Sequence, residues 1–150
     1  MADITGERSV EIDAPIDRVF AIAADLDHAP EWQGSLKSVT VLERDEAGRA
    51  RVVDCENDAK VKTVKSRLRF SYDAPTGMSW VQEKGDTKSL TGSWRLEDLG
   101  GGRTRATYGL VVDPGRVLGM LLRGPALDAV RGQLLGDAPD GLKRTAEAAG

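Results

Sequence analysis

Between residues 37 and 113 the chain alternates apolar and polar side chains, with turn-forming residues at 45–48, 57–58, 74–77, 85–86 and 100–102. A period of two places successive side chains on opposite faces of a strand, and turns this closely spaced leave no room for crossover helices. The pattern predicts six consecutive strands joined as an antiparallel meander. It also sorts the faces. Val64, Leu68, Phe70 and Tyr72 share one parity against Lys65, Arg67 and Arg69; Met78, Trp80 and Gln82 oppose Ser79, Val81 and Glu83. Leu90, Gly92, Trp94 and Leu96, and then Ala106, Tyr108, Leu110 and Val112, continue the same oily face. The charged face carries Lys65, Arg67 and Arg69 beside a strand with Asp54 and Glu56, a pattern for solvated cross-strand ion pairs or for docking an acidic partner.

The flanks supply the rest of an α+β fold. Residues 4–13 alternate as a first strand, ended by Ala14-Pro15. Proline fits the first turn of a helix, Asp17 suits its N-terminus, and Ile16, Val19, Phe20 and Ala23 share one face. Asp25, Asp27 and Pro30 predict a second short helix that turns back before Gly34. After Asp113-Pro114-Gly115, Val117, Leu118, Leu121 and Leu122 predict a short apolar helix. Ala126, Val130, Leu134, Ala138, Leu142 and Ala146, with Leu127, then define a long amphipathic one. Gly136 and Pro139 lie within it and predict a kink or break near 136–140. A chain of 150 residues makes one domain and buries roughly 70% of its unfolded surface.

Most catalytic constellations are excluded. One His and one Cys cannot make a three- or four-ligand His/Cys zinc site, and there is no phosphate loop, dinucleotide turn or G-x-S-x-G elbow. No metal and no cofactor is expected. His28 stands among Asp25, Asp27 and Glu31, where helix capping accounts for the aspartates. Cys55 shares the inner parity of Val53 and reads as a buried, inert thiol. A net charge of −3 and a pI near 5.2 speak against nucleic acid. The longest apolar runs, 19–24 and 117–122, fall short of the roughly 20 residues of a membrane span, so no stable membrane insertion is expected. Without an apolar signal segment the expected location is cytoplasmic; the oligomeric state stays open.

The oily sheet face must be covered, and the C-terminal helix is the only long element left to cover it. Gly92, Ala106, Ala126 and Ala138 suggest room between the two. In such a cavity Leu68, Phe70, Trp80 and Trp94 are the expected apolar wall, and Ser66, Tyr72, Gln82 and Tyr108 the polar groups that orient a carbonyl or hydroxyl. Leu118 and Leu121, then Val130 and Leu134, are the expected helical contributions. If the protein is an enzyme, Tyr72 and Tyr108 are the catalytic candidates; otherwise there are none.

The run Val10-Glu11-Ile12-Asp13-Ala14-Pro15-Ile16-Asp17-Arg18-Val19-Phe20, followed by Asp25, Pro30-Glu31-Trp32 and Val39-Thr40-Val41-Leu42, resembles the START and polyketide cyclase/dehydrase (SRPBCC) superfamily, including its coenzyme-Q-binding branch. The resemblance extends over residues 1–150 as a single domain. It implies the helix-grip fold, a seven-stranded curved antiparallel sheet wrapped on a long C-terminal helix, with two short helices after the first strand. It also implies a cavity for a lipid, quinone, sterol or polyketide. The leading expectation is binding, transport or sensing of a hydrophobic small molecule. One alternative is a polyketide cyclase or aromatase, although Arg67, Arg69, Arg95 and Arg105 all fall on the outer parity. The other is a protein-interaction module of the ribosome- or respiratory-complex-associated kind.

Overall fold

The computed structural model describes residues 4–59, 62–121 and 123–149. Seven strands form one antiparallel sheet: β1 (Ile4–Ile12), β2 (Leu36–Arg44), β3 (Ala50–Asp58), β4 (Thr63–Asp73), β5 (Gly77–Gly85), β6 (Ser89–Gly100) and β7 (Arg103–Asp113). Their order is β1-β7-β6-β5-β4-β3-β2, so β1 extends the six-strand meander by pairing with β7, and β1 and β2 are the sheet's edges. Register shifts in β2–β3, β4–β5 and β6–β7 mark bulges, the local irregularities that bend a sheet.

Between β1 and β2 lie α1 (Ile16–Ala24) and a short 3-10 helix, Leu26–Glu31. Pro15 stands in extended conformation before α1, its carbonyl accepting from the Arg18 and Val19 N–H groups. Val19, Phe20, Ala23 and Ala24 are the buried face. After β7 come α2 (Gly115–Leu121) and α3 (Pro125–Ala148). Leu122, counted with the short apolar helix on sequence grounds, lies outside the described residues.

The expected break near 136–140 does not occur; α3 runs unbroken from 125 to 148 with Pro139 inside it. A proline removes one helical hydrogen bond and crowds the preceding turn, yet here the neighbouring turns are held from outside. Arg8 of β1 forms a two-pronged pair with Asp140 (2.8 and 3.1 Å) and reaches the Gly136 carbonyl (3.4 Å). Pro139 is fully buried. At Gly141 a β-carbon would overlap the carbonyl oxygen of Trp32, so the helix lies directly on the corner after α1. Lys143 Nζ then donates to the Glu11 carbonyl (2.7 Å) and the Asp13 N–H to Glu147 (2.9 Å). Tertiary packing therefore outweighs the local cost of the proline.

The sheet's outer face pairs with itself. Arg67 meets Asp54 (2.8 Å), Arg69 meets Glu83 (2.7 Å), Arg95 meets Glu7 (3.0 Å) and Arg105 meets Glu97 (3.1 Å). Arg67 holds the Asp54 carboxyl below its ordinary range by hydrogen bonding. The inner face and the helices enclose the core, with Ile12, Val53, Val130 and Leu142 among its most buried side chains.

Candidate functional site

The two ends of the sheet differ. At the end near α1, Ile12, Leu96, Ala106, Val19 and Phe20 are buried together. Thr104, fully buried, donates its hydroxyl to the Ala14 carbonyl (2.8 Å). Ala106 and Ala138 are thus packed shut, and the room expected from small residues does not arise at them. Gly92 is filled by a neighbour: it is the cross-strand partner of Trp80, and a β-carbon there would overlap the indole.

The space lies between the sheet, α3 and α2, with Ala23 of α1 and Leu26 of the 3-10 helix also in its lining. A cavity of about 120 Å³ is lined there mostly by apolar side chains, with Gln33, Asn57, Ser66 and Thr87 the polar exceptions beside Cys55 and Tyr108. Its wall is a chain of rings: Phe70 to Trp80 (5.3 Å between centroids), Trp80 to Tyr108 (5.9 Å) and Tyr108 to Trp94 (4.8 Å). These separations are contact distances for aromatic pairs, so the wall is continuous across four strands.

Of the expected residues, Ser66, Leu68, Phe70, Trp80, Trp94, Tyr108, Leu118, Val130 and Leu134 line this cavity. Three stand elsewhere. Tyr72 is at the closed end; its hydroxyl donates to the Ala50 carbonyl (2.6 Å) and its ring packs against Phe20 beneath the Arg49 guanidinium. Gln82 is tied to Thr87, donating to its carbonyl (2.9 Å) and accepting from its hydroxyl (2.8 Å), which leaves Thr87 at the cavity instead. Leu121 sits on the outside of α2, 48% exposed. Asn57 and Gln33 join the lining without having been singled out. Asn57 continues the inner parity of Val53 and Cys55, a signal hidden because Asn57-Asp58 also reads as a turn; Gln33 and Thr87 lie outside periodic segments.

The site's electrostatics follow from burial. Among the described lining residues the only titratable groups are Cys55 and Tyr108. Burial pushes the Cys55 thiol up to about 12, with the Asp54 charge adding to the effect. Burial likewise raises Tyr108, helped by Cys55. Both stay protonated at neutral pH, so the thiol is a poor nucleophile and the phenol is a hydrogen-bond donor. Neither the Tyr108 nor the Ser66 hydroxyl has a hydrogen-bond partner among the described residues, though both sit in the wall. With no partner inside the protein, these two hydroxyls face the cavity free to bond a polar group that enters it, each such bond worth about 0.5–1.5 kcal/mol.

The family described as polyketide cyclase / dehydrase and lipid transport matches residues 3–150. The chain belongs to this family. Among solved structures, a START superfamily protein from Mycobacterium smegmatis superposes with a TM-score of 0.83 at 18% identity, covering 97% of this chain and 99% of that one. An aromatase/cyclase from Streptomyces sp. R1128 gives 0.75 at 19% identity, and a protein from Thermus thermophilus gives 0.77 at 22%; each covers 99% of both chains. At identities this low the superpositions show the shared helix-grip fold alone. Comparison with curated proteins finds no match. Among the described residues of this family member no helix is long and apolar enough to cross a membrane.

Proposed function

We propose that the protein binds a neutral, hydrophobic small molecule with a ring or short apolar body and one or two oxygen functions, as a carrier or sensor. The observation that carries this reading is the cavity's chemistry: aromatic and aliphatic walls, two unpaired hydroxyls, and no described group that is ionised at neutral pH. A carboxylate or ammonium placed there would lose its hydration without a counter-charge, which costs far more than a ketone or phenol would. The apolar body gains roughly 25 cal/mol for each Å² removed from water. The volume of about 120 Å³ is close to the roughly 150 Å³ that accommodates benzene in an engineered protein core. A ring therefore fits directly, whereas a longer lipid, quinone tail or polyketide exceeds the space.

A cyclase or dehydrase acting on a poly-β-ketone chain is the second reading, favoured by Tyr108, whose protonated hydroxyl is placed to donate to a carbonyl as it enolises. It lacks a base: no described lining residue is a carboxylate or histidine, so a proton leaving carbon has no acceptor in the wall. The outer-face charges, which motivated an interaction module, are largely satisfied by one another.

Native mass spectrometry and organic extraction of protein purified from its own host test the first reading, with a retained neutral, oxygen-bearing hydrophobe expected. In calorimetry with a phenol or cyclic ketone, Tyr108→Phe should lower affinity two- to tenfold, the worth of one hydrogen bond, whereas Tyr72→Phe should change stability and leave affinity alone. Absence of any retained or titratable neutral ligand would refute the carrier. Turnover of a poly-β-ketone mimic that Tyr108→Phe abolishes would move the assignment to the cyclase.

A further inference from the structure

The short helix α2 faces two ways. Leu118 points into the cavity and is buried, whereas Val117, Met120 and Leu121 are 72%, 61% and 48% exposed. Three large apolar side chains on seven residues form a raised apolar cap, bracketed by Gly115 and Gly124, both with positive φ. Two arginines flank the cap in the chain. Arg116 and Arg123 are exposed, and neither has an ion-pair partner among the described residues. Lys88 packs beside Gly115. The acids nearest in the chain are already engaged, Asp113 with Lys88 (3.9 Å) and Asp128 with Arg131 (3.8 Å).

We propose that α2 is a docking surface for a lipid bilayer containing anionic phospholipid, with Val117, Met120 and Leu121 entering the headgroup–acyl boundary and Arg116 and Arg123 meeting phosphate groups. A short helix with a protruding apolar face and arginines at its edges suits an interface in which acyl chains adapt to the side chains. A second copy of this chain is a poorer fit. An isologous contact through α2 would set the arginines of both copies against each other, and seven residues fall far short of the roughly 800 Å² per partner of a stable interface. The chain's net charge of −3 does not oppose docking locally, because the two unpaired arginines belong to this end. The inner side of the docked helix is cavity wall, so docking sets the cavity beside the bilayer.

Flotation with phosphatidylcholine vesicles, with and without phosphatidylglycerol, tests the proposal on the full chain. Binding should require phosphatidylglycerol and weaken with salt. Arg116→Gln and Arg123→Gln should each weaken it about fivefold, the factor for roughly 1 kcal/mol per basic residue at an anionic surface. Met120→Glu and Val117→Glu should abolish it without shifting the melting temperature, since both side chains are exposed in the free protein. Tyr108→Phe should bind vesicles like the parent, which separates failure of this proposal from failure of the cavity assignment. Equal partition onto neutral vesicles, no partition onto anionic ones, or undiminished binding by Met120→Glu would overturn it. So would a concentration-dependent dimer dispersed by Met120→Glu in a protein that ignores vesicles.

Discussion

Gly92→Ala probes the hollow with a single methyl group. Gly92 lies opposite Trp80 in the β5–β6 ladder, and a β-carbon there would overlap three atoms of the indole, well inside the roughly 3.5–4 Å at which carbon atoms rest. The ring has to move, and the free side available to it is the cavity of about 120 Å³ that it lines. Overpacking a filled core costs about 1–3 kcal/mol. With space to receive the ring, the free protein should lose only the low end, about 1 kcal/mol, or roughly 2–4 °C in melting temperature for a chain of this size. A ligand that fills the cavity would meet the displaced indole and lose about 1–3 kcal/mol, a fall in affinity of roughly five- to 150-fold. Urea unfolding of the free protein and calorimetry with a phenol or cyclic ketone measure the two effects separately. Trp80→Phe in the same chain, with its smaller ring, should recover part of the lost affinity. Unchanged affinity in folded Gly92→Ala would mean that ligand does not use this wall. A loss of well over 3 kcal/mol in the free protein would mean that no hollow lies behind the ring.

Two further substitutions address the long helix and the corner before it. Gly141→Ala should destabilise by about 3 kcal/mol, because the added carbon overlaps the Trp32 carbonyl and both partners are backbone-anchored; Gly132→Ala on the same helix meets open space and should stabilise by up to about 1 kcal/mol, read as urea midpoints. Acid–base behaviour gives a third check. His28 Nδ1 lies 2.7 Å from the Asp25 carboxylate, and that hydrogen bond, with the charges of Asp25 and Glu31, raises its pKa above the ordinary 6.5. The pair therefore stabilises fully below pH 6.5, and the gain is lost as pH rises through the folded-state value. Asp25→Asn should return the His28 proton titration followed by NMR toward 6.5 and flatten that part of the stability profile; an unchanged titration would refute the pairing.

The periodic segments were legible from sequence because their burial is one-sided. Strands β2 to β7 and the inward parity of Leu68, Phe70, Trp80, Trp94 and Tyr108 follow from alternation alone, since a one-residue slip would turn every ring to solvent. Arg67, Arg69, Arg95 and Arg105 fell on the outer face by the same rule and are found there in cross-strand pairs. Parity says which way a side chain points and nothing about what it meets. Tyr72 and Tyr108 share an inward face, yet Tyr72 reaches the packed end and bonds the Ala50 carbonyl, while Tyr108 reaches the cavity with its hydroxyl unpaired. Gln82 points inward but is captured by Thr87 just past the end of its own strand.

Sequence by itself determined the order of elements, the faces of the strands, the aromatic character of the wall and the family resemblance, because each rests on local periodicity or contiguous residues. Tertiary structure alone decided the continuity of α3 through Pro139, the place and size of the cavity, the absence of ionised groups among its described lining residues and the outward turn of Val117, Met120 and Leu121. Those depend on contacts between residues far apart in the chain, such as Arg8 with Asp140, Gly141 with Trp32 and Gly92 with Trp80. A helix tolerates a proline, and a sheet holds a hollow, only when the far side of such a contact is in place.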